Sequence, residues 1–142
     1  MIGIDANALV ALAIREHPAH LSASKVFERE LVADEQIVLA SSIAAEFLHV
    51  VTDARRITPA REMKESVAWL RAWQAEVSAQ WLMPTESSVA LWLKWMDEFK
   101  LGRKRILDTQ YAAMLHENGV KRLLTNNVDD FRVFGVFEIV PF

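Results

Sequence analysis

Short apolar runs of strand type recur along this chain, separated by longer segments with helical spacing, and that alternation constrains the fold more than any other feature. Met1 to Ile4, Gln36 to Ala40 with its IVLA, Trp81-Leu82-Met83, Arg122 to Thr125 and Phe137 to Val140 read as strands. Helical patterns fill the intervals: Ala8 to Ile14, Leu21 to Leu31, about Ile43 to Ala54, Thr58 to Gln80, Ser87 to Phe99, and Asp108 to about Glu117. Several helix details follow from local chemistry. Ser41-Ser42 and Asp108 are expected as N-caps, and Thr58 as a cap with Pro59 in the first turn. Val26, Phe27 and Leu31 should face inward from the second helix, Met63, Val67, Leu70 and Val77 lie at helical spacing on the fourth, and Val89, Trp92, Leu93 and Met96 should face inward from the fifth. Strands alternating with helices predict an α/β fold with a mostly parallel sheet of four or five strands, covered on both faces and joined by right-handed crossovers.

The 142 residues, 52% of them hydrophobic, suit one globular domain over 1–142 with a sizeable core. No apolar run approaches the roughly 18 residues of a membrane span, and MIGIDANALV lacks the basic start of a signal peptide, so a cytoplasmic protein is expected. The absence of cysteine excludes disulfides, thiolate metal sites and a cysteine nucleophile. Any metal would therefore take oxygen or imidazole ligands, and the four histidines are scattered. A net charge of −3 argues weakly against a nucleic-acid partner. That average hides local structure, because Lys100, Arg103, Lys104 and Arg105 cluster just before Asp108.

Individually, the acids have ordinary explanations. Asp5 ends the first strand and suits a helix N-cap, and Asp108 suits another. Asp129 and Asp130 fit a polar turn. Glu46 is less easily assigned, since Ile43, Phe47, Val50 and Val51 around it must face the core; it stands either at the edge of the buried stripe or in a polar cavity. Jointly they say more. Carboxyl ends of parallel strands share one edge, so Asp5, the turn leading to Glu46, and the Asn127 to Asp130 turn should meet there, with Asp108 beside them. Close carboxylates repel, and with no thiolate the usual remedy is a hard divalent cation such as Mg²⁺ or Mn²⁺. Such an ion supports phosphodiester hydrolysis by an activated water.

Three ordered pieces, IDANALV, SSIAAEFLHVV and RKRILDTQYAAMLHENGVKRLLTNNVDDF, followed by a terminal strand, resemble the PIN-domain ribonucleases, and among them the VapC toxins of bacterial toxin-antitoxin pairs. The resemblance spans nearly the whole chain and implies a PIN-like three-layer fold. It implies that Asp5, Glu46 and Asp108 hold a catalytic Mg²⁺ or Mn²⁺, that Asn7 and Thr125 are polar groups beside it, and that Asp130 matches the acid before Phe131. Asn127 falls where the family pattern allows a fourth acid. An amide there adds no charge, which favours one resident ion with a second recruited by the RNA phosphate. Arg103, Lys104 and Arg105 are candidates to position that phosphate, although for any single one of them a solvated basic loop is the stronger reading. Arg55 and Arg56 carry the same two readings.

Five tryptophans, Trp69, Trp73, Trp81, Trp92 and Trp95, crowd the middle of the chain. Interleaved with Leu and Val, they read as packing rather than base-stacking residues, with some excess for a protein interface. The resemblance implies a homodimer and a groove for a VapB-like antitoxin, which places a basic side chain among the acids. Two other readings stand beside the nuclease. A haloacid-dehalogenase-type phosphatase would want a second aspartate where this chain has Asn7. A metal-free PIN-like scaffold that only binds partners would fit the missing fourth acid and the acidic total.

Overall fold

Five strands form one all-parallel sheet in the order β3-β2-β1-β4-β5, in a computed structural model that describes residues 1–142. They are β1 Ile2–Ile4, β2 Ile37–Ala40, β3 Gln80–Leu82, β4 Arg122–Leu124 and β5 Glu138–Val140. The helices are α1 Ala6–Ala13, α2 His20–Val32, α3 Ser41–Val51, α4 Met63–Glu76, α5 Glu86–Glu98, α6 Ile106–Glu117 and α7 Val128–Arg132, with a 3-10 turn at Arg103–Arg105. This is the PIN-like α/β architecture expected from the alternation. No helix is long and apolar enough to cross a membrane.

Strand order advances from β1 through β2 to β3, then returns to the far side of β1 for β4 and β5. Right-handed crossovers therefore send the connecting helices to opposite faces. The contacts agree: α1 packs on α2 and α3, and α3 on α4, while α5 and α7 pack on α6. The reversal at β1 and β4 opens a crevice at the strands' carboxyl ends, where open α/β sheets bind ligands. Ile4 pairs with Leu124, so Asp5 and Thr125, the next residues, leave the sheet side by side.

Gly3 sets the depth at which α6 lies on β1. A Cβ there would stand 2.9 Å from Leu115 Cδ2 and 3.0 Å from the Tyr111 hydroxyl, too close for either neighbour. Without it, α6 settles onto the strand, and the buried Tyr111 hydroxyl donates to the Ile4 carbonyl at 2.8 Å. Asp108, one helical turn before Tyr111, is thereby carried to the edge where Asp5 emerges. The buried apolar residues form a single contiguous cluster from Ile2 to Val140.

Helix ends and faces depart from the expectations in instructive ways. Neither serine caps α3; Ser41 and Ser42 are its first residues, and Ala40 takes the N-cap without a side-chain bond. Asp108 likewise lies inside the first turn of α6, because the helix begins at Ile106 directly from the 3-10 turn. Helix α4 starts at Met63 rather than Thr58. The residue before a proline is driven out of the helical region, and the Arg61 amide turns back to the Val51 carbonyl at 2.8 Å, folding residues 52–62 against the end of α3. Its buried face is Ser66, Leu70 and Trp73, with Met63 exposed. On α5 the inward face is rotated to Ser88 and Trp95, leaving Val89 and Leu93 exposed and Trp92 and Met96 half-buried. The rotation follows from its start: Thr85 caps the helix in a reciprocal box with Ser88, which draws Ser88 inward. Leu31 of α2 is also exposed, and Glu30 takes the buried position beside it. That exchange is possible because Arg122 on β4 reaches Glu30 at 2.5 Å and Glu35 at 3.2 Å.

Candidate metal and nucleic-acid site

Asp5 is both a helix cap and a buried site acid. Its Oδ1 accepts from the Ala6 amide at 2.7 Å, capping α1. Its Oδ2 accepts from the Thr125 hydroxyl at 2.6 Å and from the Asn7 amide at 2.9 Å. The Thr125 oxygen in turn accepts from Asn7 at 3.1 Å and from the Asn127 backbone at 3.0 Å. Thus the ends of β1 and β4 are joined through one fully buried hydroxyl, and the carboxylate has a single fixed orientation. No cation pairs with it. At 5% exposure, burial pushes its carboxyl up to about 6, against the Thr125 and Ala6 hydrogen bonds, and the charges of Glu46 and Asp108 add to the rise.

Glu46 and Asp108 come to the same edge from α3 and α6. Glu46 is raised first by burial against the cleft wall and then by the Asp108 charge, with Arg56 and His49 opposing. Burial also raises Asp108, with Arg105 opposing and Asp130 adding to the rise. These acids sense one another's charge, which no set of independent caps would require. Glu46 is exposed on the wall of an open cleft of about 410 Å³, which it lines together with Asn7, His17, Arg56, Asn126 and Asn127.

Among the basic residues expected to position phosphate, Arg105 is engaged elsewhere. It reaches Asp130 Oδ1 at 2.5 Å, bonds the Asp130 carbonyl, and lies 3.6 Å from Asp108 Oδ2. Asp130 sits in the first turn of α7, so this guanidinium ties α7 to α6. Arg103 and Lys104 are exposed on the 3-10 turn, and Asp129 pairs only with Arg132 at 3.1 Å. Arg55 is held by both oxygens of Asp53, whereas Arg56 approaches Asp53 only to 4.0 Å and faces the cleft.

The donors fit a hard divalent cation: three mutually repelling carboxylates, no sulfur, and a buried Asn7 Oδ1 that has no hydrogen-bond partner. The side chains do not yet close around a point, since no three carboxylate or imidazole groups stand together as a ready cage. Arg105 draws two of the acids to itself. Sequence reasoning passed over three residues of the cleft. They are His17, Asn126 and Phe142. The doubled asparagine of TNNVDDF was the one available signal.

Comparison with known proteins accords with this architecture. The VapC20 toxin of Mycobacterium tuberculosis, described as cleaving the sarcin-ricin loop, superposes with a TM-score of 0.72 at 14% identity, covering 97% of this chain and 98% of that one. VapBC-1 of nontypeable Haemophilus influenzae gives 0.71 at 17% identity, covering 99% and 98%. VapBC2 of Rickettsia felis, bound to a DNA fragment from its promoter, gives 0.71 at 14% identity, covering 100% and 99%. No curated protein sequence is close enough to count as a relative. The family model for the PIN domain matches residues 2–136, and with nearly the whole chain so matched, this protein belongs to the PIN-domain family.

Proposed function

We propose that this protein is a VapC-like endoribonuclease that hydrolyses RNA phosphodiesters with a Mg²⁺ or Mn²⁺ ion and is neutralised by a VapB-like antitoxin. The observation that most supports it is the buried Asp5, which no cation pairs, at the edge where Glu46 from α3 and Asp108 from α6 add their negative charge. Asp5, Glu46 and Asp108 would hold the ion, with Asn127 adding an amide oxygen but no charge. When bound, a divalent cation supplies Lewis acidity that makes water a nucleophile near neutral pH and offsets charge on the phosphoryl oxygens.

The chain's own residues supply position. Thr125 and the Ala6 amide hold Asp5 in one orientation, and Asn7 locks the hydroxyl that does so. Glu46 and Asp108 bring negative charge from the two sides of the sheet. Asp130, at the start of α7, orients the attacking water once Arg105 releases it. Arg103 and Lys104 draw the RNA backbone toward this edge, and Arg105 joins them on release.

The solved complexes VapBC-1 and VapBC2 support an antitoxin partner. Arg105 supports it as well, since these acids already accommodate a guanidinium, the chemistry an inhibitory arginine would use. Exposed apolar side chains, Val89 and Leu93 one turn apart on α5 among them, leave surface for such partners. Purified protein with Mn²⁺ should cleave single-stranded RNA, and EDTA or Asp108→Asn should abolish cleavage. Continued cleavage in EDTA by a homogeneous preparation refutes the metal mechanism.

A further inference from the structure

The cleft beside the acids is more than an approach to them, because its polar groups are tuned by their neighbours. His17 Nδ1 accepts from the Ala19 amide at 3.1 Å, so the neutral ring carries its proton on Nε2, a donor left for a ligand. Asn126 Oδ1 accepts from the Phe142 amide at 2.9 Å, which likewise leaves its NH₂ free to donate. Arg56 reaches Asp53 only at 4.0 Å, since Arg55 holds both oxygens of that acid at 3.0 and 2.9 Å, and its charge acts on Glu46 in the same cleft. Val10, Val50 and Ile57 give the cleft apolar walls, and Phe142 adds an aromatic ring. The acceptors among these donors include the buried Asn7 Oδ1, which has no partner, and the Glu46 carboxylate.

We propose that this cleft of about 410 Å³ holds one unpaired nucleotide of single-stranded RNA next to the scissile phosphate. The volume is that of a small-ligand site rather than a duplex groove. Arg56 binds the nucleotide's phosphate, the valines and Ile57 take the face of the base, and His17 with Asn126 donates to its edge. Two donors at that edge favour a base with a ring carbonyl, guanine, uracil or cytosine, over adenine. The proposal rests on the nuclease reading for its substrate, but RNA binding in EDTA tests it separately from catalysis.

The experiment measures binding of a fluorescent single-stranded RNA nonamer in EDTA across a salt series, for wild type, Arg56→Gln and His17→Ala. Arg71→Ala, on the exposed face of α4, serves as the control. Arg56→Gln should weaken binding about tenfold and flatten the plot of log affinity against log salt by about 0.7, the signature of one lost phosphate contact. His17→Ala should leave that slope unchanged and narrow the preference for guanine, uracil and cytosine over adenine in competition with 5′-mononucleotides. A structural role for Arg56 would move neither the slope nor the competition. Should Arg56→Gln bind with wild-type affinity and slope while Mn²⁺-dependent cleavage proceeds, the pocket is refuted and the nuclease reading survives. Should the binding effects occur in a protein that cleaves no RNA with Mn²⁺, the pocket stands and the nuclease reading falls.

Discussion

Replacing Asp5 with asparagine should stabilise the metal-free protein. The folded carboxyl titrates at about 6 against an ordinary value of 3.8, so it is held in a place where its charge is unwelcome. Between those values the folded state retains a proton that the unfolded chain has lost, so this group's contribution to stability falls as pH rises through the window and is level above it. About two pKa units correspond to roughly 3 kcal/mol of penalty at pH 7. An amide carries no such penalty and fits the same contacts. Its oxygen still accepts from the Ala6 amide, and its NH₂ meets the Thr125 oxygen. The displaced hydroxyl proton finds an acceptor if Asn7 turns over, presenting the oxygen that now lacks a partner. Thermal and urea unfolding in EDTA at pH 7 should therefore show Asp5→Asn more stable by about 2 to 3 kcal/mol, or roughly 10 °C in a chain of this size. At pH 4 the difference should shrink to roughly 0.5 kcal/mol. Subtracting variant from wild type isolates Asp5 from Glu46 and Asp108, whose raised values give slopes of the same sign. Saturating Mn²⁺ should reverse the order by stabilising only the wild type strongly. A variant less stable than wild type at pH 7 in EDTA would show that the Asp5 contacts outweigh its desolvation, and the reasoning would fail.

Two other perturbations separate site acids from structural ones. Arg105→Gln frees Asp108 and Asp130, and Mn²⁺ titration should show roughly fivefold tighter binding, about 1 kcal/mol for a half-exposed pair; weaker binding would mean that Arg105 builds the site rather than competing for it. Glu30→Gln breaks a pair whose carboxylate is 3% exposed, so unfolding should show about 3 kcal/mol lost, with Mn²⁺ affinity unchanged. A fall in that affinity would couple the two edges of the sheet.

The fold was legible because period and punctuation agreed: IGI, IVLA and RLL are too apolar and too short for anything but buried strands, and each is followed by a residue that ends it. Helix faces were less legible where a polar residue won a buried position. Ser88 did so by capping and Glu30 by pairing, and periodicity counts neither. That Asp5, Glu46 and Asp108 share one edge was legible because strand ends and helix starts meet there in any parallel sheet. Arg105 could not be placed, since its engagement with Asp130 spans 25 residues and depends on how α7 docks. The cleft donors were equally hidden. His17 and Asn126 matter through which of their atoms remain free, and that is decided by the Ala19 and Phe142 amides.

The two edges of the sheet treat buried acids in opposite ways, and the contrast argues for function at one of them. At the amino-terminal edge, Glu30 is as buried as Asp5 but meets Arg122, which also contacts Glu35 and Glu138. The carboxylates there raise the Arg122 guanidinium further above its ordinary value, as a satisfied structural pair should. At the carboxyl-terminal edge, Asp5 has hydrogen bonds but no cation, and its neighbours Glu46 and Asp108 add repulsion. A fold able to place Arg122 beside Glu30 could have placed a base beside Asp5. Its absence leaves negative charge that a guanidinium meets only at the rim, through Arg105. Proteins retain such unpaired charge where a ligand of opposite charge relieves it. The unpaired carboxylate, rather than the count of acids, is therefore what supports the proposed site at this edge.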